Sequence, residues 1–204
     1  MNSQKKMNDL NKTIMYYDTN AKKFTEGTVS VDFGTMQNYF LNKLPADAAI
    51  LDFGCGSGRD TKFFLTHGCN VEAIDGSAEL CKIASDYTGI KVKRMFFHEL
   101  AEIDKYDGIW ACSSILHVPS QELADIIEKM TAALKDNGII YTSFKYGTFE
   151  GFRNGRFFTD MTEDTFAAIL NKVQQIEKEE QWITSDVRAG RGEEEWLNLI
   201  LRKK

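Results

Sequence analysis

The stretch Ala49-Ile50-Leu51-Asp52-Phe53-Gly54-Cys55-Gly56-Ser57-Gly58-Arg59-Asp60 decides the fold. An apolar run is broken by an acid, and three glycines then fall on alternate positions. A polar-led amphipathic segment follows. The pattern predicts a buried strand, a tight loop and the start of a helix. Glycine admits a positive φ and leaves room for a ligand beside the main chain. Open α/β sheets bind nucleotides at such a place, beyond the carboxyl end of a strand.

Outward from this loop, strand and helix patterns alternate. Strands are expected at 49–53, 70–74, 92–96, 108–113 and 138–144, and helices at 59–68, 78–87 and 121–134. Ser77 suits an N-cap, and Asn137-Gly138 reads as a turn. Ahead of the loop, Leu10, Ile14, Tyr17, Ala21 and Phe24 recur at three or four residues, the face of a helix over 7–25. A second helical face spans 31–43, before Pro45. After the fifth strand the pattern changes. Residues 145–158 read as a loop, 162–170 as a helix, and 174–184 with 195–202 as an antiparallel strand pair joined by a loop at 185–192. The βαβα alternation implies an α/β fold with a mainly parallel sheet.

The 204 residues suit one domain with a full core. A net charge of −5 counts against general nucleic-acid affinity. No apolar run nears the ~18 residues of a membrane span. The start, MNSQKKMNDL, lacks the apolar core of a signal peptide, so a cytoplasmic protein is expected. Cys55, Cys69, Cys81 and Cys112 form no CxxC pair, and His67, His98 and His117 are scattered, so no metal site is expected.

A dinucleotide site of the GxGxxG kind would need glycine at position 59, which is Arg59. Asp52-Phe53-Gly54-Cys55-Gly56-Ser57-Gly58 instead resembles motif I, E/DxGxGxG, of the class I S-adenosylmethionine-dependent methyltransferases. Tyr106–Ala111, Ser114–Pro119 and Leu134–Ile140 resemble later segments of the same family. The resemblance implies a Rossmann-like three-layer sandwich: a mostly parallel seven-stranded sheet with an antiparallel last strand and extra N-terminal helices. One domain would span 1–204, with a helical lid at 1–45, a cofactor-binding core at 46–145 and substrate-side elements at 146–204.

The resemblance also implies S-adenosylmethionine as cofactor, held around Asp52, Gly54, Cys55, Gly56, Gly58, Gly76, Ser77 and Ser113. Asp75 lies 21 residues after Gly54, about one βαβ step, where an acid accepts ribose hydroxyls; a helix-capping or turn acid before Gly76 is the alternative. His98 or Glu99 would meet the adenine, unless they form a solvated loop. Tyr17 and Phe24 would cover the donor, or belong to a plain core helix. His117 follows the fourth strand and is a candidate base or positioning group; packing beside the adenosine is the alternative.

Residues 145–158 pack three cations and five aromatics into one segment, and Arg188 and Arg191 lie between the last strands. Lys145, Arg153, Arg156, Arg188 and Arg191 could therefore surround a small anionic acceptor, since arginine matches carboxylate and phosphate bidentately. Pairing with Asp186 and Glu193–Glu195 on a solvated surface is the alternative. Methyl transfer would proceed by direct in-line displacement from an already activated sulfonium. Short substrate-side elements resemble the small stand-alone, tellurite-resistance type of the family. Nucleic-acid or protein methylation and non-catalytic cofactor sensing are the rival functions. The oligomeric state is left open.

Overall fold

In the computed structural model, which describes residues 3–188 and 190–204 with side chains from Leu10 onward, two helices precede the sheet. They are α1 (Ser3–Glu26) and α2 (Gly34–Leu41). Then follow β1 (Ala49–Phe53), α3 (Arg59–Thr66), β2 (Asn70–Asp75), α4 (Ala78–Thr88), β3 (Lys93–Arg94), β4 (Tyr106–Ala111), α5 (Ser120–Ala133) and β5 (Leu134–Lys145). A hairpin, β6 (Glu150–Arg153) and β7 (Arg156–Thr159), leads to α6 (Glu163–Leu170), β8 (Ile176–Ser185) and β9 (Glu195–Lys203).

Seven strands form one sheet in the order β3-β2-β1-β4-β5-β9-β8. The first five are parallel, and β9 runs antiparallel to both its neighbours. The Rossmann-like sheet with its antiparallel last strand is as expected. The order reverses between β1 and β4, which opens a crevice beyond their carboxyl ends.

Alternation along β1 sends Ile50 to one face and Leu51 and Phe53 to the other. Leu51, Phe53 and Ile109 join the core beneath α5 and α6. Ile50, Trp110 and Tyr141 pack against Phe40 of α2 and Phe64 of α3. Trp110 stacks on Tyr141 with centroids 4.1 Å apart and meets Phe40 and Phe64 edge-on. Burying an indole of ~200 Å² is worth about 5 kcal/mol gross. Its Nε1 hydrogen bond to Asp60, 2.9 Å, is worth about 1 kcal/mol net. Packing thus holds α3 to the sheet, and the bond sets its rotation.

Three expectations are corrected. The third strand, expected at 92–96, pairs only at Lys93 and Arg94, because the chain turns at Phe97–Glu99 toward the crevice. Asn137-Gly138 is no turn between elements but an irregularity inside β5, with Asn137 at φ +62°; the β4–β5 register jumps there from Tyr106↔Leu134 to Gly108↔Ile139. Residues 145–158 are not a plain loop. The hairpin is closed by Asn154-Gly155 at φ +52° and +81°, the left-handed pair of a type I′ turn. Ala189, inside the segment 185–192, lies outside the described residues. Among the described residues no helix is long and apolar enough to cross a membrane.

Candidate functional site

A cavity of about 470 Å³ lies beyond the carboxyl ends of β1, β4 and β5, walled on one side by α1. Gly54 and Gly56 form its floor at φ +91° and +55°. A Cβ on Gly54 would stand 2.6 Å from Ser114 Cβ, and one on Gly56 would stand 3.1 Å from Phe24 Cε1. Glycine at both positions thus lets Ser114 and Phe24 pack directly on the main chain that borders the cavity. Cys55 lines the cavity too, with its thiol pKa pushed well up by burial.

Two members of the motif do not face the cavity. Gly58 lets α3 close on α4: a Cβ there would meet Thr88 Cγ2 at 2.9 Å. Asp52 points beneath the loop, where its carboxylate accepts the Thr61 hydroxyl. Burial, with Asp60 close by, pushes the Asp52 pKa upward. Both support the loop.

Asp75, at the end of β2, lines the cavity opposite the glycines. Its Oδ2 accepts the Gly56 amide at 2.9 Å and its Oδ1 the Ser77 amide at 2.8 Å. Burial outweighs these bonds and raises its pKa. Each oxygen keeps a lone pair for a further donor. Gly76 and His98 line the same end. Ser77 does not; it caps α4 at Leu80 N and donates to Asp18 of α1 at 2.6 Å. Glu99 does not either, because its carboxylate turns back to the Phe96 amide at 2.7 Å.

At the other end stand Tyr17, Ser113, His117 and Arg156. Ser113 takes φ +51°, strained for a non-glycine residue, and its amide donates to Ser143 Oγ at 2.9 Å. His117 Nδ1 lies 2.5 Å from the Phe157 carbonyl. A carbonyl only accepts, so Nδ1 carries the proton and Nε2 is the free acceptor. Nε2 receives the Tyr17 hydroxyl at 2.8 Å. Burial holds the His117 pKa down at about 4, so the ring is neutral near pH 7. Tyr17 Oη also accepts from Arg156 Nη1 at 3.3 Å, and burial raises the phenol pKa against the pull of that guanidinium. Both ring nitrogens of His117 are thus engaged within the protein.

Four of the five cations expected around one pocket line the cavity, Lys145, Arg156, Arg188 and Arg191, and Arg153 does not. Arg153 lies outside the cavity wall, paired with Asp160 at 2.8 and 3.1 Å and stacked on Phe149 and Phe158. Lys145 lines the cavity but is paired with Glu194, and Arg191 lies 3.9 Å from the same carboxylate. Arg188 clamps the buried Asp186, Nε to Oδ1 at 2.9 Å. Arg156 lines the cavity, and among the described residues no acid pairs with it.

The tyrosine face of α1 is drawn to the site by four contacts. Thr13 Oγ1 accepts the Phe157 amide at 3.0 Å, Ile14 packs on Gly76, Asp18 takes Ser77 Oγ, and Phe24 lies on Gly56. Other wall residues escaped sequence reasoning: Phe33, Arg59, Phe96, Phe97, Trp196 and Asn198. Arg59 carried a signal, a cation directly after a glycine loop. It pairs with Asp60 at 2.7 Å and lies over Phe33.

A methyltransferase domain family matches residues 50–138, from β1 to the irregularity in β5. The match gives residues 50–138 a methyltransferase domain, and the sheet order and glycine loop around it are those expected of a class I S-adenosylmethionine-dependent methyltransferase. It is 27% identical over 143 residues to an uncharacterised methyltransferase of Staphylococcus carnosus, covering 67% of this chain and 68% of that protein. Its fold is similar to that of the Burkholderia thailandensis 1,6-didemethyltoxoflavin-N1-methyltransferase solved with 1,6-didemethyltoxoflavin and S-adenosylhomocysteine. The TM-score is 0.78 and the identity 18%, over 100% of this chain and 91% of that one. Magnesium protoporphyrin IX methyltransferase from Synechocystis, solved with S-adenosylhomocysteine, is similar at TM-score 0.73 and 17% identity, over 96% and 100% of the two chains.

Proposed function

We propose that the chain transfers a methyl group from S-adenosylmethionine to a small anionic acceptor by direct in-line displacement. One observation carries this: a single cavity runs from Gly54, Gly56 and Asp75 to Tyr17, His117 and Arg156. Its volume lies in the range of about 300–1,000 Å³ typical of small-ligand sites.

The donor end fits the cofactor. The Gly54–Gly56 backbone borders the cavity, and the spare lone pairs of Asp75 suit two ribose hydroxyls. Phe96, Phe97 and His98 offer an aromatic wall for the adenine, and Ile14, Tyr17 and Phe24 cover the site. When bound, the cofactor supplies the activated sulfonium methyl. The chain contributes alignment and exclusion of water. No side chain forms a covalent intermediate. Where the acceptor loses a proton, Tyr17 Oη is the group within its reach. Tyr17 takes that proton as its own passes to His117 Nε2, so His117 acts through Tyr17.

The test has two stages. Titration calorimetry with S-adenosylmethionine and S-adenosylhomocysteine reads the donor end. A labelled-methyl screen over small carboxylates, proteins and nucleic acids then reads the acceptor. Methylation of protein or nucleic acid alone would sink the small-acceptor assignment, and no binding of either cofactor form would sink the whole proposal.

A further inference from the structure

The geometry points to Arg156 as the anion seat of the acceptor end, and to an acceptor with one carboxylate on an apolar body rather than a polyanion. The inference rests on the proposed methyl transfer and narrows its substrate class.

The charges decide the class. Arg188, Lys145 and Arg191 line the cavity with acidic partners already in place, Asp186 for the first and Glu194 for the other two. Arg59, on the same wall, is satisfied by Asp60. A salt-bridged cation offers little net field to a further anion. Arg156 differs. Among the described residues no carboxylate lies within ion-pair distance of it, and its buried Nε has no hydrogen-bond partner. A guanidinium has five N–H donors in a planar fork, and one of them is used, weakly, on Tyr17.

The plane of the fork is held. Arg156 Cζ stands 4.6 Å from the Tyr16 ring centroid, 5.1 Å from Phe158 and 5.6 Å from Tyr17. Such stacking fixes orientation and is open to arginine rather than lysine. The type I′ turn sets the position, since Gly155 sits directly against Tyr16. Phe158 lies against the guanidinium, and Leu116, Ile126 and Phe157 give the same cavity an apolar wall. A second negative charge would share the cavity with Glu122 and Asp186 and find no unpaired arginine. The site therefore suits a planar monoanion that takes the fork with two oxygens and lays its remainder on the aromatic wall.

The test uses the full chain saturated with S-adenosylhomocysteine. Calorimetry measures binding of benzoate and 3-phenylpropionate, of their neutral amides, and of phenyl phosphate as its dianion. Each carboxylate is expected to bind about tenfold or more tighter than its amide, with phenyl phosphate no tighter than benzoate. Arg156→Gln should abolish the preference of carboxylate over amide, and Arg156→Lys should keep only part of it. Arg153→Gln, outside the cavity, should leave it unchanged. Binding of S-adenosylhomocysteine shows that each variant is folded; if Arg156→Gln fails there, Arg156→Lys carries the test. Three results would overturn the inference: neither carboxylate binds, the preference survives Arg156→Gln, or phenyl phosphate binds about tenfold tighter than benzoate. Failure of the unsubstituted protein to bind S-adenosylhomocysteine would instead strike the methyl-transfer proposal.

Discussion

Replacing Gly76 by alanine tests whether α1 closes the donor end. Gly76 does not have a positive φ, so its backbone accepts alanine. The obstacle is contact: the new Cβ would stand 2.6 Å from Ile14 Cδ1 and 3.3 Å from Phe96 Cδ1. Carbon atoms rest at about 3.5–4.0 Å, so Ile14 must give way by about 1 Å and Phe96 by a few tenths. Overpacking of this kind costs about 1–3 kcal/mol. Ile14→Val removes Cδ1, the atom struck, and by itself costs about 0.5–1.5 kcal/mol. The double variant is therefore expected close to Ile14→Val alone, with a coupling energy of about 1–2 kcal/mol between neighbours. Calorimetric affinity for S-adenosylhomocysteine reads the effect, at about 1.4 kcal/mol per factor of ten. Gly76→Ala should weaken binding about tenfold, and Ile14→Val should restore most of it. Simple additivity would refute the closure, because the methyl at position 76 would then act on the ligand and not on the helix.

Two further expectations concern pH. The His117 pKa is lowered from 6.5 to about 4 by burial, so the unfolded chain takes up a proton that the folded one refuses. Stability is then lost as pH falls from 6.5 through 4, by about 3 kcal/mol at 1.36 kcal/mol per pH unit. Denaturant unfolding across that window should show the slope, and His117→Gln should flatten it; an unchanged slope refutes the buried neutral ring. Asp52 has the opposite sign. Its folded pKa lies above the ordinary 3.8, so its contribution is present at low pH and falls away as pH rises toward the raised value. Asp52→Asn keeps an acceptor for Thr61 and should raise the melting temperature at neutral and alkaline pH, with little change below pH 4. A lower melting temperature at neutral pH would show that the charged carboxylate stabilises the loop.

Ala49–Phe53, buried along most of its length, and Asn70–Asp75, buried only at Ala73 and Ile74, were legible as strands because each is bounded by glycine or acid. That Gly54, Gly56 and Asp75 would meet at one cavity was legible for a related reason: they sit on consecutive βαβ pieces, where spacing along the chain maps onto spacing in the sheet. Arg153 and Arg156 were not separable. They are three residues apart, yet the hairpin sends one to Asp160 and the other into the cavity. Asn154-Gly155, set directly between the two arginines, is the signal that separates them, the strongest short hairpin cue. Glu99 and Ser77 were misplaced because a side chain's choice between ligand and local backbone depends on rotamers. The Tyr17–His117 pair joins residues a hundred positions apart, which only the closed fold brings together.

The helix α1 touches both ends of the cavity with the residues of three successive turns. Ile14 and Phe24 press on the donor loops, while Thr13 and Tyr17 tie to the hairpin and to His117. One element thus serves as a common wall, and on the proposed function lifting it would unseat both ligands together. Exchange of spent cofactor and departure of methylated product would then be a single kinetic event. The handful of contacts under α1, rather than the chemistry at the sulfonium, would set how often the enzyme turns over.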